Sequence, residues 1–147
     1  MFSKTGSLVT DYAIDLLSRL HHMRKKDSER PLLFICHSLG GIVFKQALIT
    51  ASEKGDPYGT LLESIHAVIF MGTPHRGSRT AGPALHLSRV INAPFPGWAV
   101  RSELLKVLKA SSNTLIDISR LSVSLMKDLR IVSFYEQKSL GASLVSI

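Results

Sequence analysis

The sequence predicts an α/β fold, a mostly parallel sheet flanked by helices, on three observations. Short apolar runs at residues 31–35, 67–71 and 130–135 read as strands, and longer stretches with apolar residues at helical spacing separate them. That alternation is the rhythm of parallel strands joined by crossover helices. With 147 residues and 45% apolar content, the chain holds enough material for one domain with a core and too little for two.

Taken in order, residues 10 to about 23 place Ala13, Ile14, Leu16, Leu17, Leu20 and Met23 at helical spacing. Thr10 serves as the expected cap and Asp11 falls in the first turn, so a surface helix packed on a sheet is predicted. Residues 27–31 form a short polar connection in which Pro31 marks the entry to a strand. Leu32, Leu33, Phe34 and Ile35 then run through Cys36 and His37 into Ser38-Leu39-Gly40-Gly41, and a helix with Ile42, Val43, Ala47 and Leu48 inward begins at once. The breaker cluster at 53–59 should end that helix near Ser52. The second strand, 67–71, leads into Gly72-Thr73-Pro74-His75-Arg76-Gly77-Ser78. A short helical pattern at 81–90 follows, then a loop at 92–98 in which Phe95 and Trp98 either pack locally or line an acyl pocket. Two more helices are expected at 102–110 and about 113–127, the second with Leu115, Ile116, Ile118, Leu121 and Leu125 inward. A third strand ends at Glu136, and residues 143–147 read as the start of a fourth. There is no internal repeat and no low-complexity segment.

The chemistry concentrates at Ser38. A serine between a buried strand and a helix, flanked two positions away by small residues, matches the nucleophile-elbow pattern G-x-S-x-G, with Cys36 in place of the first glycine. Small flanks are needed because the sharp turn brings the helix against the strand. On this reading Ser38 is the nucleophile, and the Leu39 backbone N–H, at the positive end of the helix, is an oxyanion donor. The alternative is an ordinary strand and turn in which Ser38 caps the helix. The loop after the second strand lies at the same carboxyl edge of the sheet, which brings His75 near Ser38 as either a general base or a structural hydrogen-bonding residue. His37 is adjacent to Ser38 in sequence, so its side chain should point away from the serine's.

Composition narrows the partners. The excess of 18 Lys+Arg over 11 Asp+Glu gives a net charge of +7, and its densest run is His21-His22-Met23-Arg24-Lys25-Lys26. The run has neither interleaved aromatics nor a recognisable module, which excludes nucleic acid as the expected partner. At a helix end, cations complement the macrodipole and face water, with peripheral attraction to an anionic membrane surface as the alternative. The single cysteine, Cys36, excludes an internal disulfide framework, fits a reducing compartment and reads as a small packed residue. No apolar run approaches the roughly 20 residues of a transmembrane helix. The first residues carry no signal or transit pattern, so a cytoplasmic location is the expectation from the residues alone. No clustered ligand spacing calls for a metal, and a serine acyl transfer needs no cofactor.

Three blocks together carry a resemblance: Phe34-Ile35-Cys36-His37-Ser38-Leu39-Gly40-Gly41, then Phe70-Met71-Gly72-Thr73-Pro74-His75-Arg76-Gly77-Ser78, then Val132-Ser133-Phe134-Tyr135-Glu136. They resemble the serine-esterase family of α/β hydrolases, which includes serine active site-containing proteins and GPI inositol-deacylases. The resemblance implies a partial α/β-hydrolase fold, truncated at both ends, with residues 1–147 as a single incomplete domain. It implies serine-dependent hydrolysis of lipid-like carboxylic esters, with Ser38 as nucleophile and Leu39 as backbone oxyanion donor. The family's order of nucleophile, acid, histidine makes Glu136 the acid, although a glutamate at a strand end is equally an ordinary solvated charge. The catalytic histidine is then expected after the next strand, a role that no residue of this chain fills, and the second oxyanion donor on a glycine-rich loop after an early strand, which nothing upstream of Thr10 supplies. The chain is therefore expected to be an incomplete or inactive hydrolase, or alternatively a catalytically dead module that binds a protein partner in signalling. Mitochondrial or endoplasmic-reticulum membranes are the location that the resemblance implies.

Overall fold

The computed structural model describes residues 4–73 and 112–134. Within them the chain runs α1 (Lys4–Met23), β1 (Leu32–His37), α2 (Gly40–Lys54), α3 (Gly59–Ser64), β2 (Ile65–Met71), α4 (Ser112–Leu125) and β3 (Arg130–Phe134). The strands form one sheet in the order β1-β2-β3, and both pairings are parallel. Parallel neighbours need crossover connections, and α2 with α3 supplies the one from β1 to β2. The α/β class is thus as the sequence predicts.

α2 is the hub of the packing. On its sheet side Phe44 and Leu48 meet Cys36, Ile65, Val68, Phe70 and Met126. A second side sets Ile42 and Ile49 against Val9 of α1 and Leu115 and Ile118 of α4. The third sets Ala47 and Ala51 against Ala13 and Leu17 of α1 and Leu61 of α3. A helix surrounded in this way must be apolar around most of its circumference, which is why Gly41, Ile42, Phe44, Ala47, Leu48, Ile49 and Ala51 are all buried. Alanines at positions 47 and 51 let α1 approach closely, while Phe44 stacks at a tilt on Phe34 with ring centroids 4.7 Å apart.

The structure corrects several local expectations. α1 begins at Lys4, so Thr10 and Asp11 lie within the helix and Thr10 does not cap it; the apolar stripe from Val9 through Leu17 continues the helix upstream of the polar pair. α1 packs along α2 rather than lying on the sheet alone. α2 runs to Lys54 and ends at Gly55, whose positive φ of 63° lets its N–H return to the Ala51 carbonyl at 3.1 Å. The six-residue α3, hidden in the sequence by its glycine and short length, precedes β2, which begins two residues earlier than predicted. In α4, Leu115 and Ile118 are buried, but Ile116 and Leu121 are 37% and 60% exposed. Ser122 is fully buried instead, its hydroxyl donating to the Ser119 carbonyl at 3.3 Å. Nor is β1 buried on both faces: Leu33 and Ile35 are 58% and 66% exposed. The predicted elements at 81–90, 102–110 and 143–147, and the loop with Phe95 and Trp98, lie outside the described residues.

Candidate functional site at the β1–α2 turn

The site is built where the three strands end together. In the register His37 stands beside Met71, and Met71 beside Phe134. Beyond that row the backbone is stitched sideways: the Ser38 N–H donates to the Met71 carbonyl at 2.9 Å, and the Gly72 N–H donates to the Phe134 carbonyl at 2.9 Å. The turn that follows β1 is therefore held to the turn that follows β2, and that turn to the end of β3.

Ser38 itself has φ of 52°, and among the described residues it is the non-glycine residue with positive φ. This region is sterically unfavourable for a residue with a Cβ, and its retention at one serine marks a site where surrounding structure enforces the strain. The enforcement is visible. Extended β1 stops at His37, Ser38 turns the chain, and Leu39 is already helical at φ −61° and ψ −25°. Leu39, not Ser38, is the N-cap of α2, and no side chain among the described residues caps that helix. This sets aside the reading of Ser38 as a helix cap. The first bonds of α2 are Gly41 N–H to the Ser38 carbonyl at 3.3 Å and Ile42 N–H to the Leu39 carbonyl at 2.9 Å. They leave the Leu39 and Gly40 N–H groups without a backbone acceptor among the described residues, at the positive end of a 15-residue helix.

Two glycines make room for this turn. Gly72 takes φ of 59° and swings the chain after β2 back over α2, which seats Thr73 against Gly41. A Cβ on Gly41 would lie 2.9 Å from the Thr73 Cβ and closer still to its Cγ2 and Oγ1, so only glycine admits this approach. Thr73 is 9% exposed and its Oγ1 is buried without a hydrogen-bond partner among the described residues. Sequence reading missed Thr73, although its place directly after a strand-ending glycine was the available signal.

His37 ends β1 as an exposed residue, and it has no hydrogen bond to Ser38 among the described residues. Ser38 and Leu39 are half-buried. Glu136 and His75 lie outside the described residues. Cys36, packed under the turn at 6% exposure, has its thiol pushed up to about 11 by burial, which keeps it protonated and inert. Lys45 is the second residue that sequence reading missed. It sits in α2 at 2% exposure, with Nζ 3.4 Å from the Ser119 hydroxyl oxygen and 5.8 Å from the Phe70 ring centroid, and burial lowers its pKa. No group of three or more metal-ligating side chains occurs among the described residues, and no described helix is long and apolar enough to cross a membrane.

A strained serine between a parallel strand and a helix N-terminus is one half of the comparison; the family match is the other. The family model described as "Putative serine esterase (DUF676)" matches residues 3–95, which contain the whole β1–Ser38–α2 unit and the turn after β2. The chain belongs to this serine esterase family. Among curated proteins, Protein SERAC1 of Mus musculus is 33% identical over 87 residues, which are 59% of this chain and 12% of that protein. Protein SERAC1 of Homo sapiens is 33% identical over 73 residues, 50% of this chain and 11% of that protein. Protein SERAC1 of Bos taurus is 29% identical over 111 residues, 74% of this chain and 15% of that protein. The matches thus span a small part of each relative's length. No solved structure matches the chain.

Proposed function

We propose that this serine esterase family chain carries the nucleophile of a hydrolase acting on carboxylic esters, with Ser38 as that nucleophile. The observation that supports it is the positive φ at Ser38 between β1 and α2, a strain that a passive turn would relieve with glycine. In the reaction the Ser38 Oγ forms a bond to the ester carbonyl carbon, and a general base takes the hydroxyl proton. The Leu39 N–H, unclaimed by the helix, donates to the oxyanion. Collapse of the intermediate breaks the ester C–O bond, the alcohol leaves with the proton, and water then releases the acid from Ser38. Glu136, two residues beyond the end of β3, is the proposed acid that orients the base, because the β3 end is stitched through Gly72 to the Ser38 turn. His75, two residues after Thr73 in the sequence, is the proposed base within the chain. The substrate class we propose is a lipid-like carboxylic ester, and the location a mitochondrial or endoplasmic-reticulum membrane, both on the family resemblance.

A fluorophosphonate probe tests this directly. Wild type should be labelled at Ser38, and Ser38→Ala should lose the label while keeping the same circular dichroism spectrum. Labelling that survives Ser38→Ala overturns the assignment, and unchanged labelling of His75→Ala removes His75 as base. A second reading, a binding module without catalysis, is favoured by the apolar sheet face on which Leu33, Ile35 and Phe134 are exposed. It predicts a folded wild type that the probe never labels.

A further inference from the structure

At the amino edge of the sheet, one strand length from Ser38, lies a cleft of about 210 Å³ between the end of α1, the turn before β1 and the start of α3 with the turn that leads into it. His21, Arg24, Lys25, Ser28 and Thr60 line it, and no carboxylate is among its lining residues. Arg24 is braced there: one terminal nitrogen donates to the Ser28 carbonyl at 2.8 Å and also to the Arg30 carbonyl. That bracing fixes a guanidinium that would otherwise be a mobile surface side chain. Its Nε–H, however, is buried and has no acceptor among the described residues. A buried donor without an acceptor is costly, more so on a charged group, and an anion is the partner that removes the cost. His21 is likewise oriented, its ring edge-on to Tyr58 at 6.1 Å between centroids. A solvated helix end would leave these side chains unbraced and would not wall a cleft.

We propose that this cleft is a binding site for a phosphate group, distinct from the Ser38 turn, in which Arg24 and Lys25 contact the phosphate oxygens and Ser28 or Thr60 donates a hydroxyl. Guanidinium forks match phosphate oxygens in pairs, lysine adds a point charge, and the hydroxyls suit the remaining lone pairs. The negative end of α1 lies close by, so the affinity for free phosphate is on the order of millimolar. The phosphate reaches the cleft either as a soluble phosphate ester or as the headgroup of an anionic lipid.

The test is a titration of the full chain with inorganic phosphate, followed by amide NMR at constant ionic strength. Saturable shifts are expected at residues 21–28 and 57–61, with affinity about tenfold weaker in Lys25→Gln and unchanged in Lys127→Gln, an exposed cation elsewhere. Arg24→Gln should abolish binding; because Arg24 also braces the turn, the exposed Lys25 carries the test if that variant misfolds. Sedimentation with phosphatidylcholine vesicles, with and without phosphatidic acid, separates the two sources. Retention on the phosphatidic acid vesicles that Lys25→Gln weakens and Lys127→Gln does not assigns the lipid headgroup, and saturable phosphate shifts without retention assign a soluble phosphate ester. Absence of saturable shifts, or equal weakening of binding by both lysine substitutions, overturns the site in favour of diffuse charge attraction. Either result leaves the reading of Ser38 untouched.

Discussion

Replacing Gly41 by alanine tests the packing on which the Ser38 turn depends. The new Cβ would meet the Thr73 side chain well inside van der Waals contact, and it would lie 2.9 Å from the Thr73 Cβ itself. Rotating χ1 of Thr73 moves Cγ2 and Oγ1 but leaves Cβ in place, so a rotamer change does not relieve the clash. Backbone retreat is opposed by the Gly72 N–H to Phe134 carbonyl bond and by the Ser38 N–H to Met71 carbonyl bond just upstream. Overpacking of this kind costs about 1–3 kcal/mol, and the better helix propensity of alanine returns about 1 kcal/mol, so a net loss of about 0–2 kcal/mol is expected, against a gain at a glycine that has room. Gly40 is the internal control, because a Cβ there meets nothing within 4 Å, and Gly40→Ala should be neutral or slightly stabilising. Urea unfolding of both variants gives the comparison, and Thr73→Ala in the Gly41→Ala background should recover part of the loss. Gly41→Ala should also slow probe labelling, since any retreat of Thr73 pulls on the carbonyl that holds Ser38. Equal stability of Gly41→Ala and Gly40→Ala would refute the close approach and the argument built on it.

Other substitutions probe the strain, the buried cation and the thiol. Ser38→Gly should be more stable than Ser38→Ala by about 1 kcal/mol in urea unfolding, since only glycine accepts the positive φ without strain; equal stabilities would mean that the turn is not strained. Lys45→Met should raise stability at neutral pH by on the order of 1 kcal/mol, because it removes a cation that is 2% exposed and whose one hydrogen-bond partner among the described residues is a hydroxyl. Burial lowers the folded pKa of Lys45 below its ordinary 10.5, so between those two values the unfolded chain binds more protons than the folded one and wild-type stability rises with pH. The advantage of Lys45→Met should therefore be full at neutral pH and shrink as pH climbs toward 10.5, and a pH-independent difference would count against the buried-charge account. Cys36, pushed from 9.0 to about 11, holds about a hundredfold less thiolate at pH 8 than an ordinary thiol, so iodoacetamide should modify it at least that much more slowly in the native protein than in urea. Comparable rates in the two states would show that the strand beneath the turn opens readily.

What could be read from the sequence was what depends on neighbours along the chain. The order of apolar run, small-flanked serine and helical pattern around Ser38 is local, and so is the break after α2 at Gly55. The parallel arrangement also followed, because strands separated by helices have few other ways to share a sheet. The phase of an amphipathic pattern did not follow, since a period of 3.6 fixes which residues share a face and not which face the neighbours cover. In α4 that choice fell on Leu115, Ile118 and Ser122 instead of Leu121, because α2 approaches from the side where Lys45 meets Ser119. A lysine buried at position 45 is unreadable from composition, which sets long basic side chains in water by default. The close approach of Thr73 to Gly41 joins residues from the ends of two different strands, and only the parallel register that sets Met71 beside His37 brings them together. The sequence by itself determined that a serine stands between a strand and a helix; the tertiary structure decided that this serine is strained and pinned to its neighbouring strand, with Thr73 seated against Gly41 beside it, because each of those depends on hydrogen bonds and packing between segments distant in the chain.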